Sequence, residues 1–200
     1  MKKAQIAVMV SGGGTNLQAL IDAQKDGTLK SGEIKLVISN RADAYAIERA
    51  KDAGIDAKVI TKGACGSVDA WEEKIMEAID AAKIDFIILA GFLCILSEKF
   101  TKHYKRRIIN IHPALIPSFC GEGMYGLKVH EAALAKGVKV TGATVHYVNE
   151  IADGGEIILQ QAVKVRAGDT PEVLQQRVMR QAEWMILPKA AEMISKEIIK

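Results

Sequence analysis

Two polar side chains at the end of an aliphatic run are the first sign of chemistry in this sequence. In Ile108-Ile109-Asn110-Ile111-His112-Pro113 a stretch of branched residues meets an amide, an imidazole and a proline. Side chains alternate along a strand, so Asn110 and His112 project to one side, with Ile109 and Ile111 opposite. An amide donor beside an imidazole can hydrogen-bond an oxygen on which negative charge develops, which is the chemistry of acyl transfer. The competing reading is that Asn110 tethers a turn and His112 is a satisfied structural histidine.

Two further segments carry site character. Ser11-Gly12-Gly13-Gly14-Thr15-Asn16 follows one aliphatic run and opens an amphipathic one. Glycines let the backbone approach a ligand, and free amides at a helix N-terminus attract phosphate. The segment is neither G-x-G-x-x-G nor a P-loop; it also suits tight packing, and Thr15 or Asn16 can simply cap the helix. Asn149-Glu150-Ile151-Ala152-Asp153-Gly154-Gly155 is an acidic loop whose local chemistry favours a solvated turn. A carboxylate there would pair with an imidazole only if the loop folds back over the sheet. Of the other histidines, His146 reads as structural, His103 as a surface residue of a basic helix, and His130 as undetermined. Their spacing lacks the pairing of a metal site, so no metal is expected. No G-x-S-x-G elbow is present.

Elements that could position these groups follow from the patterning. Ile6 to Val10, Ile34 to Ser39, Ala57 to Ile60, Phe86 to Leu89 and Ile108 to Ile111 read as continuous aliphatic strands, the kind covered on both faces. Asn16 to Lys25, Tyr45 to Ala53 and Ala70 to Ala82 read as intervening helices. This is an α/β fold: a Rossmann-like, mostly parallel sheet flanked by helices. Ser118 to Gly126 reads as a mobile loop and Leu127 to Ala135 as a helix. Val138 to Val148 and Glu156 to Val165 form a C-terminal strand pair. A long C-terminal helix starts near Pro171, with a kink or break expected at Pro188.

The chain has 200 residues, 49% hydrophobic and 26% charged, a globular balance sized for one domain. A net charge of +3 without a like-charge block gives no footprint for nucleic acid. Three dispersed cysteines suggest neither disulfides nor a thiolate site. The run after Met1-Lys2-Lys3 is too short for a signal peptide, and no membrane span is expected. A cytoplasmic protein is the expectation.

Read together and in order, Ser11 to Gln18, Ile38 to Arg41, Ala90 to Ser97, Asn110 to Phe119 and Asp153 to Gln160 resemble the folate-dependent formyltransferases over essentially the whole chain. The Asn-x-His-Pro segment with a downstream Asp-Gly-Gly is shared across that family. The Ser-Gly-x-Gly-[Ser/Thr]-Asn segment is similar to the glycinamide ribonucleotide branch, the phosphoribosylglycinamide formyltransferases. The resemblance implies that Asn110, His112 and Asp153 are the catalytic trio and that Gly14, Thr15 and Asn16 hold the substrate phosphate. It makes Glu183 the carboxylate that meets glycinamide ribonucleotide. It assigns folate to Leu93, Cys94, Ile95 and Leu96, mostly through main chain, and to Asn149, Glu150, Ile151, Ala152 and Asp153. It further implies 10-formyltetrahydrofolate as co-substrate, no metal, a monomer or homodimer, and one domain. In that domain residues 1–117 form a nucleotide-binding half and 118–200 complete the folate site.

Two departures from the family stand out. The segment Ser118 to Gly126 is longer than usual after the His-Pro pair. An arginine common near the start of the third helix is absent from Ser67-Val68-Asp69-Ala70, with Lys62 as a candidate substitute. The alternatives are a formyltetrahydrofolate hydrolase, whose relatives carry a further domain, and a non-catalytic nucleotide-binding protein using the same glycine loop.

Overall fold

The computed structural model describes residues 2–200; Met1 lies outside the described residues. The first half runs β1 (Ala4–Val10), α1 (Thr15–Asp26), β2 (Gly32–Ser39), α2 (Ala46–Asp52), β3 (Asp56–Val59), α3 (Lys62–Cys65), α4 (Val68–Ala81), β4 (Phe86–Leu89), α5 (Glu98–His103) and β5 (Ile108–His112). The second half runs α6 (Leu127–Lys136), β6 (Val140–Tyr147), β7 (Ile157–Lys164), α7 (Pro171–Val178), a π-helical turn (Met179–Glu183) and α8 (Trp184–Ile198).

The seven strands form one sheet in the order β3-β2-β1-β4-β5-β6-β7. The first five are parallel, and β6 and β7 add antiparallel at the far edge. Chain order reverses between β1 and β4, so the loops leaving these two strands diverge and open a crevice at their carboxyl ends. The glycine segment leaves β1 there, Ala90 to Leu96 leaves β4, and His112 ends β5.

Alternation along β1 divides the core into two layers. Ile6, Val8 and Val10 pack with α1, α7 and α8, for example with Leu17, Leu20, Leu174 and Leu187. Ala7 and Met9 pack on the other face with Trp71, Ile75 and Phe100 from α4 and α5. Trp71 is fully buried and its indole N–H donates to the Ile60 carbonyl at 2.7 Å, so its one polar atom is satisfied. No helix among the described residues is long and apolar enough to cross a membrane.

The C-terminal helix differs from the expected kink at Pro188. Pro188 lies inside α8, and the irregularity is the π turn at Met179–Glu183. Proline lacks the N–H that would bond the carbonyl four residues earlier, at Trp184. The wide turn ends at that residue, so the irregularity is taken up one turn upstream, and it delivers Glu183 to the crevice. α3 and the short α5 are both held by caps, Thr61 accepting from Ala64 and Ser97 from Phe100.

Candidate active site

One cleft of about 720 Å³ opens at the carboxyl ends of β1, β4 and β5. It is lined from one end by Gly12 to Asn16 and Glu183, through Asn110, His112 and Asp153, to Leu93 to Leu96 and Asn149 to Ala152. Every site residue expected from the sequence lies on it.

The phosphate-type end is built by α1. Gly14 holds φ 71°, and a Cβ there would stand 2.6 Å from the Ala46 Cβ, so only glycine permits this turn against α2. No side chain caps α1, which leaves its first-turn amides facing the cleft; the capping role open to Thr15 and Asn16 is not taken. Arg49 braces the loop from behind, donating to the Gly13 carbonyl at 2.8 Å. Asn16 turns its amide toward Glu183, donating Nδ2 to Oε2 at 2.7 Å. Burial pushes the Glu183 carboxyl up to about 7, opposed by that Asn16 bond.

The centre depends on strand register. β5 and β6 pair so that Asn110 faces His146 and His112 faces Thr144. His146 Nδ1 contacts the Tyr147 carbonyl at 2.8 Å, so that nitrogen carries the proton. The bare Nε2 then accepts from Asn110 Nδ2 at 3.2 Å. His146, read from sequence as structural, thus orients the Asn110 amide.

Asp153 reaches this cluster because the loop after β6 folds back over the strand ends, against its local reading as a solvated turn. Its Oδ2 lies 3.4 Å from His112 Nδ1 and accepts from the Gly121 N–H at 2.9 Å. Its Oδ1 accepts from Asn110 Nδ2 at 3.4 Å and lies 3.5 Å from His146 Nε2. Asp153 sits at φ 55°, a left-handed conformation that aspartate tolerates better than most residues. Gly155 allows the return: a Cβ there would stand 1.7 Å from the Tyr147 carbonyl oxygen.

The electrostatics follow from burial and partners. Burial alone would push the Asp153 carboxyl up, but the facing His112 and the Gly121 amide help hold it below its ordinary value, so it is ionised. His112 donates Nε2–H to the Phe119 carbonyl at 2.8 Å and is 4% exposed. Burial pulls its imidazole below the ordinary histidine range, against Asp153 and the Phe119 carbonyl, which both favour the cation. His112 thus turns both ring nitrogens toward acceptors, Nε2 to the Phe119 carbonyl and Nδ1 to the Asp153 carboxylate.

The segment Ser118 to Gly126, expected as a mobile loop, is tied to the cluster by the Phe119 carbonyl and the Gly121 amide. Residues Gly121 to Gly126 line the cleft. The opposite wall carries Leu93, Ile95 and Ile151, each more than half exposed and available to an apolar ring system. The Leu93 N–H donates to Ser11 Oγ at 2.8 Å, fixing that wall to the glycine segment. Lys62 does not substitute for the family arginine at the site: its ammonium lies over the Trp71 ring, 5.1 Å from the centroid, and the residue does not line the cleft. Sequence reasoning missed His146 and His130 as cleft residues, along with Gln175 and Met179. Only His146 carried a signal, its phase on β6.

Fold and site define a class: a parallel α/β domain with an anion loop at the switch point and an Asn-His-Asp cluster at the strand ends. Residues 4–191 match the model of the formyl transferase family, and the chain belongs to that family. It is 42% identical over 176 residues to phosphoribosylglycinamide formyltransferase of Escherichia coli K12, covering 88% of this chain and 80% of that relative. It is 42% identical over 194 residues to the human trifunctional purine biosynthetic protein adenosine-3, covering 97% of this chain. It spans only 18% of that relative's length, and 19% of its bovine counterpart. The solved glycinamide ribonucleotide transformylase 1 of Symbiobacterium toebii superposes with a TM-score of 0.91 at 40% identity, over 98% of this chain and 89% of that one.

Proposed function

We propose that this protein is an enzyme that transfers the formyl group of 10-formyltetrahydrofolate to the amine of glycinamide ribonucleotide, a step of purine biosynthesis. The names of its relatives support the substrates. The observation that carries the reading is the cluster in which one carboxylate, Asp153, touches Asn110, His112 and His146 midway along a single cleft.

In this reading the amides of Gly14, Thr15 and Asn16 hold the phosphate, and Glu183 meets the ribonucleotide beside it. Leu93, Cys94, Ile95 and Leu96, with Asn149, Glu150, Ile151 and Ala152, receive the folate ring system, the apolar side chains against its faces and the main chain along its edges. The deprotonated amine attacks the formyl carbon and a C–N bond forms as the carbonyl becomes an oxyanion. Asn110 donates to that oxygen: its bond to Asp153, long at 3.4 Å, is the weaker of its two and the one an entering acceptor displaces. The attacking nitrogen sheds its proton to the His112–Asp153 pair. The pair returns the proton to the folate nitrogen as that C–N bond breaks and the formamide carbonyl re-forms.

The protein works as one domain, residues 1–117 supplying the nucleotide half and 118–200 completing the folate site. The cleft is complete within one chain, so a monomer or a homodimer serves equally. Its partners are these small molecules, and a cytoplasmic location fits their chemistry. The test is product analysis by mass spectrometry after mixing protein with 10-formyltetrahydrofolate, with and without glycinamide ribonucleotide. Formylated ribonucleotide is expected only when both are present. Free folate and formate without the amine would identify a hydrolase instead.

A further inference from the structure

His130 lies in the first turns of α6, fully shielded from solvent, and neither of its ring nitrogens has a hydrogen-bond partner. It lines the cleft. Burial, with a smaller contribution from His112, holds its imidazole down to about 4, so it is neutral at physiological pH. A neutral imidazole offers one N–H donor and one lone pair, and here both are unused. Buried polar groups are ordinarily paired, and an apolar side chain of similar size would suit the free protein better. An unpaired donor and acceptor at the wall of a ligand cleft mark groups that whatever fills the cleft will satisfy.

Position narrows the ligand atoms. α6 packs against α7, which carries Gln175, and the cleft lining continues along the chain from there through Met179 to Glu183. Glu183 is bonded to Asn16 of the phosphate end, whereas the folate wall comes from other segments, 93–96 and 149–152. Asn16 Oδ1 on this side is likewise buried without a partner. Between a phosphate at α1 and a formyl carbon at His112, the part of glycinamide ribonucleotide that must pass His130 is the glycinamide. That group carries an amide N–H, a carbonyl and the amine, which match one acceptor and one donor.

We propose that His130 is a substrate-contacting residue that hydrogen-bonds the glycinamide portion through its neutral ring and aims the amine at the formyl carbon. This rests on the reading of the cleft given above. A neutral ring suits the task, since a cation would repel an incoming amine and compete for its lone pair.

The test compares His130→Leu and His130→Gln with the wild-type protein. For His130→Leu the melting temperature should equal or exceed that of the wild type, because an unpaired polar group has been replaced by an apolar one. Its KM for glycinamide ribonucleotide should rise about tenfold, equivalent to about 1.4 kcal/mol. Its KM for 10-formyltetrahydrofolate should stay within about twofold. His130→Gln, which keeps a donor and an acceptor, should recover part of the loss. Calorimetric titration of glycinamide ribonucleotide alone into each protein should reproduce the loss without any transfer taking place. The proposal is overturned if His130→Leu binds the ribonucleotide as the wild type does, or if it melts lower and both KM values rise together, as a packing residue would behave. It is also overturned if His130→Gln recovers nothing. Tight wild-type binding of the ribonucleotide without formyl transfer would sink the functional reading and leave the His130 contact standing.

Discussion

Replacing Glu183 by glutamine should stabilise the free protein in alkaline solution. Glu183 is buried and has no cationic partner among the described residues, and burial raises its carboxyl to about 7 in the fold from an ordinary 4.5. Its folded-state value is raised, so the native protein binds this proton more tightly than the unfolded chain does. The sign follows: the favourable contribution is fully present below pH 4.5, falls away between pH 4.5 and about 7, and is absent above. At 1.36 kcal/mol per pH unit the cost of ionisation amounts to about 3 kcal/mol at pH 8. Glutamine keeps an oxygen to accept from Asn16 Nδ2 and never ionises. For a chain of this size about 3 kcal/mol corresponds to a melting temperature higher by about 6–12 °C. Thermal melts of both proteins from pH 5 to pH 8 read the effect directly, with the gap shrinking to under about 1 kcal/mol at pH 5. Coincident melting curves at pH 8, or a less stable variant there, would refute the argument that burial dominates at this carboxyl. The same variant should bind glycinamide ribonucleotide more weakly, since Glu183 faces that end of the cleft.

Other perturbations probe the rest of the site. Asp153→Asn preserves shape and the acceptor for the Gly121 N–H but removes the charge facing His112, so kcat should fall about 10²–10³-fold in steady-state assays with both KM values little changed. Gly14→Ala forces a methyl into the Ala46 side chain at a positive φ; it should cost about 1–3 kcal/mol in a denaturant melt and weaken binding of inorganic phosphate measured by calorimetry.

The inner parallel strands were legible because strands buried on both faces announce themselves as aliphatic runs; β3, expected among them, is instead a largely exposed edge strand, as is β7, though all seven were readable to within a few residues. Asn110 and His112 stood out as candidates for the same reason: they are a polar pair in phase at the end of such a run. Asp153 was not, because its approach depends on a fold-back permitted by Gly155 and on a hydrogen bond to Gly121, two long-range facts that leave no local period. His146 gains its role from the β5–β6 register, and His130 from the packing of α6 on α7, neither of which a single segment encodes. The π turn escaped because Pro188 marks where a hydrogen bond is lost but not where the helix takes up the slack.

The central claim is that Asn110 and His112 act on the reacting formyl group, and single-turnover transfer with both substrates saturating tests it most directly. The rate of formyl appearance on glycinamide ribonucleotide should fall about 10²-fold or more in Asn110→Ala and in His112→Ala, by the size of a lost oxyanion donor. Binding of both substrates should stay within about threefold of the wild type if the wall and phosphate contacts carry it. Transfer rates within tenfold of the wild type in either variant would contradict the account.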